Sequence, residues 1–502
     1  MYGFLTIEKV KGGEILVKLV QNSTMQQAIK TNYSALITLT SVFFFWGFVA
    51  ASNDILIPVF KDELNLEQWQ SQMISFAFYV AYTVGSILYL LFSALLKRDV
   101  LSKIGYKKGI SLGLVVSAIG TLLFIPAANM ESFDLMISGL FVVGLGFSLQ
   151  QTAANPLVIS LGDPKKGSQR LSLAGGINNV GTTIGPVLIA LAIFGTTSTT
   201  EVDVSIESIR VPYLILGLAF ILVAAIIYFS NIPNHIAQNE ESNQGNEFVD
   251  GSTTAKKGLF SYPQLYLGMI AIFVYVGVEV ATAGNLGEYL KNGFGMTSAE
   301  ITPYVSLFWA SLMIGRWTSA ANVFTENQTF RSILRFILPY GAFGVFILIN
   351  SISKNNLSSI YYYAFVIIVI ILAEWMSKGN PGRQLMLFSA LGIIALLIGM
   401  FTDGITSIYA MVSVGLFCST LWPCIFTLAI AGIGSYTNKG AGYLIMMIMG
   451  GGFISLLQGF LADQEGIGIR LSFFVGVACF IYLLSYALLA MKSLNKQGIN
   501  LD

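Results

Sequence analysis

Charge is scarce in this sequence: 11% of its 502 residues are charged against 55% hydrophobic, and the mean hydropathy is +0.73. Soluble domains carry about 25% charged residues, so a soluble globular fold is excluded. Long apolar runs recur without the alternation of barrel strands, so the expected fold is all-α and integral to a membrane. Histidine is scarcer still. The single one, His235, lies outside the apolar runs, which removes histidine-based catalysis and metal binding within the membrane. Cys418, Cys424 and Cys479 all sit inside apolar runs, which argues against a disulfide framework or a metal cluster. A net charge of +1 offers no field for nucleic acid. No nucleophile–base pair or metal-ligand spacing appears, so neither an enzyme nor a cofactor is expected.

What is present is a succession of apolar spans. They are read near 36–60, 70–96, 108–129, 133–161, 169–197 and 211–232, then near 262–290, 301–323, 329–352, 357–377, 384–402, 405–432, 441–462 and 470–491. Between the two sets, Asn234 to Lys257 is rich in Asn, Glu, Gly and Ser and reads as a linker. The expected organisation is a cytoplasmic segment 1–34, a first bundle 35–233, a linker 234–258, a second bundle 259–492 and a tail 493–502. No cleavable leader is expected in 1–34; the first span would serve for targeting. Starting from a cytoplasmic N-terminus, only Lys61, Arg210, Lys291, Lys354 and Arg470 of the 27 Lys and Arg fall outside. That asymmetry predicts a multi-pass protein of the plasma (inner) membrane with both termini cytoplasmic. The two sets also read as an internal repeat, with the pair near 329–377 as the surplus.

Acids inside spans mark candidate sites, because a charge there costs about 2.5–3.5 kcal/mol on insertion scales. Asp54 follows Asn53 in the first span, on a face shared by Gly47, Ala50, Ala51 and Pro58 at helical spacing. That small-sided face leaves room for a ligand, and Pro58 frees the carbonyl of Asp54. Glu279, in the seventh span, shares a face with Tyr275 and Thr282. Each acid either carries a coupling proton or ties helices together. In the fourth span Phe147, Gln151 and Asn155 recur at i, i+4 and i+8, and Asn178 and Asn179 lie among glycines in the fifth. Such amides, with Asn53 and Asn285, supply the donors and acceptors a hydroxyl-rich ligand needs, or pair between helices. Trp46, Trp309 and Trp422 could stack on a sugar face. Arg316, at the inner end of its span, either pairs with an acid as an inward gate or anchors the span by its charge.

The chain resembles the major facilitator superfamily, and within it the fucose–galactose–glucose:proton symporter family. The resemblance rests on Phe45-Trp46-Gly47-Phe48 with Asn53-Asp54-Ile55-Leu56-Ile57-Pro58, on Gln151-Thr152-Ala153-Ala154-Asn155-Pro156, on Arg170-Leu171-Ser172-Leu173-Ala174 with Asn178, and on Leu456 to Asp463. It implies two pseudo-symmetric six-helix bundles, here with an extra pair near 329–377 making 14 spans. It also implies a monosaccharide carried with a proton by alternating access, and it places the family's helix-1 acid on Asp54. The fucose branch has Glu, Asn and Gln where this chain has Gln151, Ala51 and Gly175, so the chain is closer to the glucose/galactose type. The expected partners are a small sugar, a proton and the bilayer, in a monomer. Sodium coupling, a drug:proton antiporter and a non-transporting sugar sensor are the alternatives.

Overall fold

The structure, a computed structural model, describes residues 8–9, 15–16, 31–63, 68–194, 210–235, 258–325, 327–352 and 357–499. For 50–75 and most of 186–194 it describes the backbone alone. A two-residue strand β1 (Glu8–Lys9) pairs antiparallel with β2 (Ile15–Leu16). All other regular structure among the described residues is helical. In the first half these helices are α1 (Tyr33–Glu63), α2 (Gln68–Leu95), α3 (Val100–Ile104), α4 (Tyr106–Leu122), α5 (Phe124–Asn129), α6 (Phe133–Ser160), α7 (Gly167–Phe194) and α8 (Arg210–Phe229). The second half opens with α9 (Pro263–Phe294), α10 (Ser298–Phe324), α11 (Gln328–Ile352), α12 (Tyr363–Ser377) and α13 (Pro381–Phe401). It continues with α14 (Gly404–Cys418), α15 (Leu421–Ile430), α16 (Thr437–Met446), α17 (Gly450–Ala462), α18 (Gly468–Ser472) and α19 (Phe474–Lys496).

Among the described residues, 11 helical segments are long and apolar enough to cross a membrane. The packing repeats between halves: α4 lies against α6 and α8, as α13 lies against α14 and α19. Lipid tails give no hydrophobic drive for helices to associate, so close approach through small residues does that work. The crossing of α1 and α7 is the clearest case. A Cβ on Gly47 would sit 1.9 Å from the Asn178 carbonyl oxygen, and one on Gly181 would sit 2.2 Å from that of Phe44. The face of α1 that Gly47 belongs to is therefore taken up by α7 at this level, rather than left as room for a ligand. α1 also runs helical through Pro58 without a break.

The surplus helices α11 and α12 pack on α10, α13 and α14, and α11 also touches α7. α11 buries Pro339, Ala342, Phe343, Phe346 and Asn350, spaced as one helical stripe, and exposes Phe336, Ile337 and Leu348. Polar contacts fix the pair in place. The Tyr363 hydroxyl shares hydrogen bonds with Ser311 (3.0 Å) and Ser413 (3.4 Å), and Asn350 donates to Ser306 Oγ at 3.2 Å.

Candidate functional site

The halves meet at Arg316 of α10. Pro423 has no N–H to offer the carbonyl four residues back, so α14 and α15 are separated at Ser419–Thr420 and the Ser419 oxygen is free. Arg316 Nε takes it at 2.8 Å. The same guanidinium crosses to α7, where Nη1 donates to the Gly175 carbonyl at 3.1 Å and to Asn179 Oδ1 at 2.9 Å. The approach needs glycine at 175, where a Cβ would lie 2.9 Å from Arg316 Nη1. Arg316 was expected to pair with an acid or to serve as a charge anchor. Its hydrogen bonds go instead to two carbonyls and an amide oxygen.

Around this contact the second half assembles Glu279, Tyr275 and Trp422. The Tyr275 hydroxyl donates to Glu279 Oε2 one turn along α9. Trp422 is half-buried, with its ring 6.2 Å from Tyr275 and 6.1 Å from Phe426. Trp309 lies two turns from Arg316 on the same face of α10 and is 37% exposed. Asn285 donates to the Ala281 carbonyl of its own helix at 2.8 Å.

The first half contributes amides, but not all as expected. Gln151 Nε2 donates to the Tyr82 hydroxyl at 2.8 Å. Asn178 donates to the Phe43 carbonyl at 2.9 Å and so helps bind α7 to α1. Asn155 is buried, and its Nδ2 has no hydrogen-bond partner among the described residues. Trp46 was expected at the ligand. In the structure its indole N–H donates to Gln150 Oε1 at 2.6 Å, and the residue is 5% exposed, against Phe43 and Phe147. Gln150 in turn donates to Ser117 at 2.9 Å. The side chains of Asn53 and Asp54 lie outside the described residues.

Of the two amides read among glycines in the fifth span, Asn179 is the one that receives Arg316. Gln150 carried no signal of its own in the sequence and stands one residue, and so 100° of helix, from the expected Gln151. Ser419 had one available signal, the proline four residues on.

A second contact closes the end of the bundle that carries Lys97, Arg98, Lys103, Lys107 and Lys108. Asn438 of α16 donates to Asp99 Oδ1 at 2.7 Å and accepts from the Tyr106 hydroxyl, while Tyr89 donates to Asp99 Oδ2 at 2.6 Å. A cavity of about 280 Å³ lies elsewhere in the second half, between Tyr289, Asn292, Asp403 and Arg470, and none of the expected site residues lines it.

Comparison with known proteins is consistent with this geometry. Residues 35–356 match the family model described as Major Facilitator Superfamily. The chain is 34% identical over 465 residues to a glucose/galactose transporter of Brucella abortus, covering 92% of this chain and 95% of the relative. It is 26% identical over 467 residues to the L-fucose-proton symporter of Escherichia coli, covering 89% and 91%. In structure it is similar to a crystal structure of the Major Facilitator Superfamily transporter FucP in the outward conformation, with TM-score 0.67, 25% identity and coverage of 91% and 98%.

Proposed function

This chain belongs to the Major Facilitator Superfamily, and on that premise we propose that it imports a monosaccharide of the glucose/galactose class together with a proton, by alternating access. It is a multi-pass membrane transporter, not an enzyme. The observation that carries the mechanism is the guanidinium of Arg316, which joins α10 to α7 across the two halves. A cation that bridges the halves ties the closure of one end to any change that draws it away. A ligand drives such a change only by binding the two states differently.

In this reading the basic end is cytoplasmic and shut, and the sugar enters from the opposite side. Gln151, Asn155, Asn178 and Asn285 offer hydrogen bonds to hydroxyls, with Trp309 and Trp422 as ring surfaces. Asp54, beside Asn53, takes up the proton, and Glu279 is a second acid in the path. Arg316 gates the inner end. We read the chain as fourteen spans: two six-helix bundles within 35–233 and 259–492, joined by the linker 234–258, with α11 and α12 as an added pair. Segments 1–34 and 493–502 then lie in the cytoplasm at the inner membrane, and the protein works as a monomer.

The test is counterflow in reconstituted vesicles against a monosaccharide panel, with pH and sodium varied separately. Glucose or galactose exchange, with accumulation driven by a proton gradient alone, is expected. Accumulation that follows sodium reassigns the coupling ion, and binding without exchange makes the protein a sensor. Asp54→Asn is expected to abolish accumulation and spare exchange.

A further inference from the structure

The added helices α11 and α12 have no role in the transport cycle described so far, and the way α12 ends gives them one. α2 is joined to α3 by a turn through Lys97, Arg98 and Asp99. α12 is joined to α13 by Lys378, Gly379 and Asn380. The two turns share one backbone feature. Lys97 has φ 50° and Lys378 has φ 54°, two of only three non-glycine residues with positive φ among those described. Such a conformation is strained for a side-chain-bearing residue and marks a constrained site. Two residues on, Asp99 accepts from the Ser102 amide at 2.8 Å, and Asn380 accepts from the Arg383 amide at 2.9 Å, each capping the helix that follows.

Each turn is met by an amide from the opposite half. Asn438 is the second residue of α16, after the 3₁₀ turn Gly434–Tyr436, and it reaches Asp99. Gln169 is the third residue of α7, after the 3₁₀ turn Pro164–Lys166, and its Nε2 donates to the Gly379 carbonyl at 2.6 Å. A carbonyl only accepts, so this contact requires the amide nitrogen. The two amides are offset by one position, Gln169 three residues past its 3₁₀ turn and Asn438 two past its own.

The second turn is braced from beneath by a buried acid. Glu374 is fully buried near the end of α12, and Gln384 of α13 donates to it at 2.6 Å and to Ser319 of α10 at 3.3 Å. Ser377 Oγ donates to the Glu374 carbonyl at 2.7 Å and accepts from the Gly379 amide at 3.3 Å. The network spans the base of the turn and fixes the direction of the Gly379 carbonyl.

We propose that the added helix pair supplies the second of two quasi-symmetric latches that hold the basic end shut. Gln169 is the bolt, and the turn 377–380, braced by Glu374 and Gln384, is the catch. Opening to that side breaks both the Asn438 and the Gln169 contacts. The proposal rests on the alternating-access reading above, but its test uses no sugar.

Spin labels on cysteines placed at the exposed positions Lys165 and Ser435, in the full chain in lipid, report the width of the basic end. The native cysteines are buried. Gln169→Leu is expected to raise the open-to-shut ratio about five- to tenfold, the worth of one hydrogen bond. Asn438→Leu, which loses the bonds to both Asp99 and Tyr106, should raise it further, and the double variant should multiply the two effects. Glu374→Leu, which frees Gln384, should shift the ratio in the same direction. If Asn438→Leu moves the distance distribution while Gln169→Leu leaves it at the parent's, the added pair is not a latch. If the distances shift as expected and counterflow fails, the latch stands and the transport reading falls.

Discussion

Replacing Arg316 tests the reading at the point where the halves join. Two of its three hydrogen bonds, to Gly175 O and Asn179 Oδ1, cross between halves, whereas the bond to Ser419 O stays within the second half. Separation of α10 from α7 breaks the crossing pair and leaves the third. Hydrogen bonds to charged groups contribute about 1.5–3 kcal/mol each. Arg316 is only partly buried, so the lower value applies, and the crossing pair favours the shut state by about 3 kcal/mol. Arg316→Met forfeits both bonds and should raise the open-to-shut ratio about a hundredfold, since about 1.4 kcal/mol is a factor of ten. Arg316→Lys keeps the charge but, with a single ammonium, holds one crossing contact and should give about a tenfold change. The Ser419 carbonyl loses its donor in both states of the Met variant, so that cost cancels from the ratio and shows only as lower thermal stability. The label pair at the basic end measures the series. Parent-like ratios in both variants, or Lys and Met shifting equally, would refute the assignment of two crossing bonds.

Gly47→Ala would put a methyl 1.9 Å from a backbone oxygen, and contact near 3.4 Å is ordinary, so α1 and α7 must part by about 1.5 Å at the crossing. Overpacking of this kind costs about 1–3 kcal/mol, more than the roughly 1 kcal/mol that alanine gains in a helix, and a lower melting temperature in detergent is expected. Trp46→Phe strips the buried Gln150 oxygen of its donor at a cost of about 1–3 kcal/mol. Sugar KM should be unchanged in that variant; a large rise in KM at unchanged stability would return Trp46 to the ligand. Glu300, in the capping box at the start of α10, is held below the ordinary carboxylate range by the amide and hydroxyl of Thr297. Its stabilisation is therefore complete above the unfolded carboxyl's pKa and is lost as pH falls through the lower folded value. The stability gap between the parent and Glu300→Gln should close on acidification, followed as melting temperature against pH.

Much of the architecture was legible because it is settled residue by residue against lipid. An apolar run of helical length lowers its own free energy in the bilayer whatever its neighbours do, so the expected all-helical fold is found, with 11 segments among the described residues long and apolar enough to cross a membrane. The site was legible only in part. Glu279 and Arg316 stand out because a charge in a span demands a partner, but which partner depends on the neighbouring helices. Sequence periodicity resolves a face and not the residue on it, so Gln151 was singled out while Gln150 receives Trp46.

Composition, hydropathy and the scatter of Lys and Arg thus determined by themselves that the chain is a bundle of membrane helices with an acid-bearing interior. Only the tertiary structure decided that Trp46 is packing, that Arg316 bonds carbonyls rather than an acid, and that the turn after α12 faces Gln169. The physical reason is that hydropathy is a property of one segment in its solvent, whereas a hydrogen bond between Gln169 and Gly379 joins groups 210 residues apart. Its partner is chosen by helix crossing, and no local pattern in the chain encodes that.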